Sequence, residues 1–167
     1  MCCENRHHFP PIEEAGVMKE YAKSICVART PYGHGVFALK RFRRGETVGA
    51  VTGEVIDDPD YGSDYCIDLG PTRVLEPEPP FSYLNHSCEP NCQLVTVAAR
   101  NSYGGKSRWK IILDTIRAIR TGDQLTIDYS WPADAAIPCL CGSPTCRGWI
   151  VNEEELHLLP TTPPALA

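Results

Sequence analysis

The sequence predicts a mostly β fold of short strands in small sheets, and three observations carry that expectation. β-rich runs of four to eleven residues recur between Gly, Pro and Asp positions from Ser24 onward. No stretch shows an amphipathic pattern lasting three helical turns. The 167 residues suit one domain with one core, with room for short appendages.

The runs expected as strands are Ser24 to Arg29, Gly35 to Leu39, Thr47 to Ile56, Tyr65 to Leu69 and Thr72 to Leu75. Gln93 to Ala99, Trp109 to Ile119 and Gln124 to Tyr129 continue the pattern. Glu76 to Phe81, "EPEPPF", is expected as loop because successive prolines remove ladder donors and fix φ. Asn101 to Ser107, "NSYGGKS", reads as a hairpin turn. Residues 1–23 read as a lead-in ending in a turn of helix, with no assigned function. After Pro138 the composition shifts to the compact "CLCGSPTCRGWIV", and residues from Glu153 read as a turn of helix and a tail.

Composition bounds the partners. A net charge of -5 opposes the basic surface that nucleic-acid binding requires and favours a cationic partner. No apolar run is long enough to span a bilayer, and "MCCENRHHFPP" lacks the apolar core of a signal peptide. An intracellular protein, cytoplasmic or nuclear, and a monomer are therefore expected. Nine Cys, an odd number without a secretory signal, point to metal ligation for some rather than to a disulfide framework.

The metal signal is strongest at Cys139, Cys141 and Cys146, spaced C-x-C-x4-C with Gly142 and Pro144 between them. Thiolates are soft ligands suited to Zn2+, and the turn residues can fold three of them around one ion. Tetrahedral closure needs a fourth ligand, for which Cys88, Cys92, Cys66, Cys26, Cys2 and Cys3 are the candidates. The other dense motif is "SYLNHSCEPNC", Ser82 to Cys92. A Ser-His hydrolase centre is a poor reading of it, because adjacent Ser87 and His86 diverge and no G-x-S-x-G elbow is present.

Four stretches taken in order, "YGHGVFALKRFRRGETVGAVTGEVI" from Tyr32, "SYLNHSCEPNC", "GDQLTIDYSW" from Gly122 and "CLCGSPTCRGWI" from Cys139, resemble the successive motifs of SET-domain protein lysine methyltransferases with a post-SET zinc segment. The resemblance implies a SET fold with a C-terminal pseudoknot and a zinc-clamped post-SET segment. It implies residues 24–134 as the SET domain, 135–151 as the zinc segment and 152–167 as a tail. It also implies S-adenosyl-L-methionine as methyl donor and a lysine-containing protein or peptide, such as a histone tail, as acceptor.

Residue by residue, the resemblance joins Cys88 to Cys139, Cys141 and Cys146 on one structural Zn2+ and leaves Cys92 to packing. Tyr129 in "TIDY" matches the catalytic tyrosine, and Tyr65 falls where relatives have a Tyr lining the pockets. Tyr32, Gly33, His34, Asn85, His86 and Tyr129 are implied as donor contacts, with Leu140, Trp149 and Ile150 closing over adenine. Structural alternatives stand beside each: a β-turn for Gly33, a core histidine for His86, a core-covering ring for Trp149. Asp57, Asp58, Asp60 and Asp64 suit a basic peptide electrostatically.

Three departures qualify the match. Ile127 stands where many relatives have Phe or Tyr, which leaves room for more than one methyl on the acceptor. The approach to Asn85 lacks the D-A-x-x-x-G-N pattern, and no Cys-rich pre-SET cluster is present, so a minimal, free-standing form is expected. A catalytically silent module that binds zinc and a peptide is the alternative, opposed by the retention of Tyr129, Asn85 and His86.

Overall fold

The computed structural model describes Tyr21 and residues 23–99 and 108–163. Twelve strands among them form four small sheets. The first sheet starts with the antiparallel pair β1 (Ile25–Thr30) and β2 (Gly33–Ala38). The next run does not stay in one strand. Thr47 to Ile56 breaks at Thr52 into β3 (Thr47–Val51) and β4 (Gly53–Asp57), which enter different sheets. A Cβ at Gly53 would collide with the Glu76 carbonyl, so the chain can turn there only with glycine.

β4 pairs with β6 (Arg73–Pro77), which also carries the two-residue β5 (Ile67–Asp68). The "EPEPPF" loop therefore starts later than expected: Pro77 ends a strand, opposite Gly53, where its missing N–H costs no central ladder bond. A 3-10 turn over Phe81–Tyr83 then leads into β7 (Asn85–His86), a strand that polar composition concealed. β8 (Cys92–Ala99) and β9 (Arg108–Thr115) form a long antiparallel ribbon, with β3 on the far edge of β9. The turn expected between them lies outside the described residues, as does most of the lead-in.

The decisive step is β10 (Gln124–Ile127). It is antiparallel to β2 through Leu125↔Val36 and parallel to β7 through Thr126↔Asn85 and Ile127↔His86. A late segment is thus threaded between two earlier ones, as the pseudoknot expectation requires. Asn91 secures it like an extra piece of backbone, its amide donating to Gln124 O at 2.7 Å and accepting from Thr126 N at 2.9 Å. Beyond β10, β11 (Ile137–Pro138) and β12 (Trp149–Ile150) bracket the cysteine segment as a small ribbon.

The core lies under these sheets, with Val36, Leu113 and Leu125 fully buried. Tyr21, where the lead-in carries a weak apolar repeat, belongs to it: its ring meets Phe81 edge-on at 5.0 Å and its hydroxyl donates to Ala50 O. Leu125 sits where the threaded strand is locked in. Leu125→Ala is expected to cost about 2 to 5 kcal/mol, the range for a buried leucine that leaves a cavity, read as a lower midpoint in urea unfolding.

Candidate functional site

β7 and β10 bring Asn85, His86 and Tyr129 together because their parallel pairing sets residues 41 positions apart side by side. Ser130 just beyond has φ of 50°, a left-handed turn that takes Tyr129 out of the ladder. The Tyr129 N–H is instead accepted by His86 Nδ1 at 3.2 Å, and its hydroxyl donates to Leu84 O at 2.7 Å. Both ends of this tyrosine are fastened to the segment 84–86. Burial, with the neighbouring Tyr65 and Asp64, pushes the Tyr129 hydroxyl up to about 12, so it remains a neutral phenol near pH 7.

On one side of Tyr129 opens a cleft of about 290 Å3. Phe81, Leu84, Leu94, Ile127 and Trp131 give it apolar walls, and Asp64, Asp68 and Tyr65 stand on its rim. Trp131 lies 5.4 Å from the Tyr129 ring. Tyr65 is at this cleft, 58% exposed and untied at its hydroxyl to any hydrogen bond among the described residues. Such walls and rim suit a cationic, elongated side chain whose head must lose its water.

The residues expected at the methyl donor lie at the start of β2 and in β7. Gly33 has φ of 120° and open space where a Cβ would point, whereas a Cβ at Gly35 would collide with Gln124 and crowd Asn85. The first glycine is therefore conformational, and a side chain at the second would have to displace the Gln124 amide. Asn85 donates its amide N–H to His34 O at 2.8 Å, which fixes the amide and leaves its oxygen to accept. Tyr32 is 70% exposed beside them, and the His34 ring leans on Tyr83 at 5.4 Å.

Two expected donor contacts have different surroundings from those anticipated. The His86 imidazole faces inward, with both nitrogens already engaged, so only its main chain is free to meet a ligand. The Trp149 ring is buried, its indole N–H donating to Pro160 O of the C-terminal segment at 2.9 Å. Leu140 is 47% exposed and Ile150 half-buried, and both remain open to contact.

The cysteines converge as the spacing suggested. Cys88 Sγ lies 3.7 Å from Cys139 Sγ and 3.9 Å from Cys146 Sγ, and Cys88, Cys139 and Cys141 group with His86 within 4.8 Å. Sulfurs bound at about 2.3 Å to one tetrahedral centre stand about 3.8 Å apart, so these separations fit a shared ion. Backbone N–H groups of Arg147, Cys141 and Gly148 point at the sulfurs of Cys88, Cys139 and Cys146 at 3.4, 3.5 and 3.4 Å. Donors so placed anticipate anionic sulfur.

Burial raises the Cys88 and Cys139 thiols; at Cys141 burial is outweighed by hydrogen bonds from the Cys88 main chain and Ser143, which draw it to about 6. The cluster can hold a metal ion. Cys92 stays apart, buried in the core with its thiol pushed up to about 12.

One pair of residues escaped the sequence reading. Arg147 forms a bidentate bridge to Asp128 at 2.7 and 2.8 Å, joining the cysteine segment to the residue before Tyr129. Burial alone would raise Asp128, yet Arg147 holds its carboxyl below the usual range. The only hint was position: each neighbours a residue already singled out.

A SET-domain sequence profile matches residues 33–130, more than half of the chain. The chain belongs to the SET-domain family. It is 32% identical over 132 residues to an H3 lysine-4 specific histone-lysine N-methyltransferase of Schizosaccharomyces pombe, covering 70% of this chain and 14% of that protein. Histone-lysine N-methyltransferase ash1 of Drosophila melanogaster is 31% identical over 141 residues, covering 74% and 6%. The chain thus spans about a seventh or less of these relatives' length.

KRYPTONITE, solved with mCHH DNA, an H3(1–15) peptide and SAH, shares the SET fold with a TM-score of 0.64 at 22% identity over 75% of this chain and 29% of that one. A Plasmodium falciparum protein proposed to be a histone methyltransferase gives 0.55 at 20% identity, covering 67% and 97%. No helix among the described residues is long and apolar enough to cross a membrane.

The geometry makes a distinction that metal analysis can check. Cys88→Ser and Cys146→Ser are each expected to lower bound metal per folded chain, by atomic absorption, whereas Cys92→Ser should leave it unchanged. Metal loss only in Cys92→Ser would move the site.

Proposed function

We propose that this chain transfers methyl groups from S-adenosyl-L-methionine to a lysine side chain of a protein substrate, a histone tail being the favoured class. The observation that carries the reading is Tyr129, fastened at its N–H and its hydroxyl at the head of an apolar cleft with an acidic rim. The names of the SET relatives, all histone-lysine methyltransferases, point the same way. A histone substrate would place the working protein in the nucleus.

Bound S-adenosyl-L-methionine would supply an electrophilic methyl group on a sulfonium. The residues fit such a donor: Gly33 leaves open space, Tyr32 and His34 flank it, and the Asn85 amide oxygen is free to accept from an amine. Leu140 and Ile150 are the apolar groups available to cover a base. The contribution proposed for His86 is made by its main chain.

The protein's task is to deliver an amine with a free lone pair. Deprotonating a lysine ammonium near neutral pH costs about 4 to 5 kcal/mol in water, where its pKa is about 10.4. Apolar walls from Phe81, Leu84, Leu94 and Ile127 disfavour the ammonium relative to the amine and so reduce that cost. Tyr129 is not the base, since its own proton is held by Leu84 O and its pKa is pushed up to about 12. Its oxygen instead accepts from the amine and orients it, while Tyr65 lines the entrance; alignment of this kind supplies much of the acceleration.

We assign the thiols of Cys88, Cys139, Cys141 and Cys146 to one structural Zn2+, as soft donors with tetrahedral spacing favour it. Bound there, such an ion would tie the post-SET segment to Cys88 of the SET core and supply a structural clamp.

Tyr129→Phe is expected to lower methyl transfer to histones by about 100-fold, the scale of a misaligned reacting group, with donor binding retained, as measured by radiolabel incorporation and calorimetry. Equal labelling by both proteins would remove Tyr129 from its role. Ile127 lines the cleft without a hydroxyl, so products carrying more than one methyl are expected. Ile127→Tyr should shift the mass spectrum toward the monomethyl product.

A further inference from the structure

His86 lies between the two working parts of the molecule, with its side chain only 3% exposed. Its Nε2 is 3.4 Å from Cys88 Sγ, and its Nδ1 accepts the Tyr129 N–H at 3.2 Å. The imidazole ring also meets the Tyr129 ring edge-on at 5.5 Å. Proximity alone would admit His86 as a metal ligand, since Nε2 falls within the same 4.8 Å group as three cysteine sulfurs.

The backbone decides between ligand and donor. A main-chain N–H only donates, so the Tyr129 bond requires a lone pair on Nδ1. A neutral imidazole has one lone pair and one N–H, which puts the hydrogen on Nε2, facing the Cys88 sulfur. A ring that ligated through Nε2 would carry its hydrogen on Nδ1 and oppose the Tyr129 N–H. The Asp128 carboxylate, 3.4 Å from Nδ1, would favour that other arrangement, but both its oxygens are taken by Arg147 and one also accepts from Ser130 N.

We propose that His86 is a positioning residue: through an Nε2–H donated to the Cys88 sulfur and an Nδ1 that accepts the Tyr129 N–H, it makes the placement of Tyr129 depend on the cysteine cluster. The proposal rests on the methyl-transfer reading for its consequence and on geometry alone for the bridge. His86 then acts as an outer partner of the metal site, a type whose loss costs about 10- to 100-fold in metal affinity or activity. Holding Cys88 then helps to hold the Tyr129 main chain, while the hydroxyl keeps its own bond to Leu84 O.

Two substitutions separate the two bonds. An Asn side chain places an oxygen near the Nδ1 position and reaches no further, whereas Gln extends an N–H toward the Nε2 position. His86→Asn is therefore expected to lose metal faster to a chelator, with the smaller loss of kcat of the two. His86→Gln should retain metal while kcat falls about 10-fold or more, with the KM for S-adenosyl-L-methionine unchanged in both. Equal losses of kcat in the two variants, or a defect confined to that KM, would overturn the bridge.

The wild-type zinc-loaded protein supplies a test independent of activity and of folding variants. Long-range 1H–15N spectra of histidine-labelled protein should show His86 protonated at Nε2 and bare at Nδ1. The reverse pattern would make His86 a ligand and end the proposal. If the wild type transferred no methyl group, the enzymatic reading would fail, while the spectrum would still decide the bridge.

Discussion

Everything that makes a site in this chain depends on one strand pairing, the two-residue parallel contact between β7 and β10. A parallel pair this short contributes little ladder energy by itself. It holds because β10 is also paired to β2, clasped by the Asn91 amide and buried at Leu125. Removing any of these supports leaves Asn85, His86 and Tyr129 with no reason to meet. Scaffold and site are not separable layers here, since the residues that fasten β10 are neighbours of those assigned to chemistry.

The pairing also explains how one tyrosine serves two faces. Tyr129 leaves the sheet at a left-handed Ser130, so its main-chain N–H turns to an imidazole and its hydroxyl to a carbonyl two residues earlier. An apolar cleft opens beside it, and Asn85, tied to His34 O, lies in the neighbouring strand. The cysteine segment then closes from outside, tied by sulfur proximity at Cys88 and by the Arg147 to Asp128 bridge. A surface ion pair is usually worth little, but this one is bidentate, partly buried and anchored at both ends by neighbours already fixed.

Much of this was legible in the residues, and what was not has identifiable causes. β1, β2, β8 and β10 announce themselves through β-branched and apolar runs between turn residues. Thr47 to Ile56 misleads because hydrophobic continuity hides the change of sheet, which only the close approach of Gly53 to Glu76 requires. β7 carries Asn and His, residues that no propensity assigns to a strand, and it exists because β10 arrives beside it. The motif cysteines were found from spacing, yet the inward turn of His86 and the burial of Trp149 depend on partners 43 and 11 residues away, beyond the reach of local pattern.

The threading of β10 has a further consequence, for the order in which the molecule can assemble. The β1–β2 and β8–β9 ribbons join neighbouring segments and can form early, whereas Cys88 must find Cys139 across 51 residues and Tyr129 must find Leu84 across 45. Long closures of this kind are slow and come late. The part of the protein that acquires its shape last is then the part that carries its chemistry, and a half-folded chain would present sheets without a working centre.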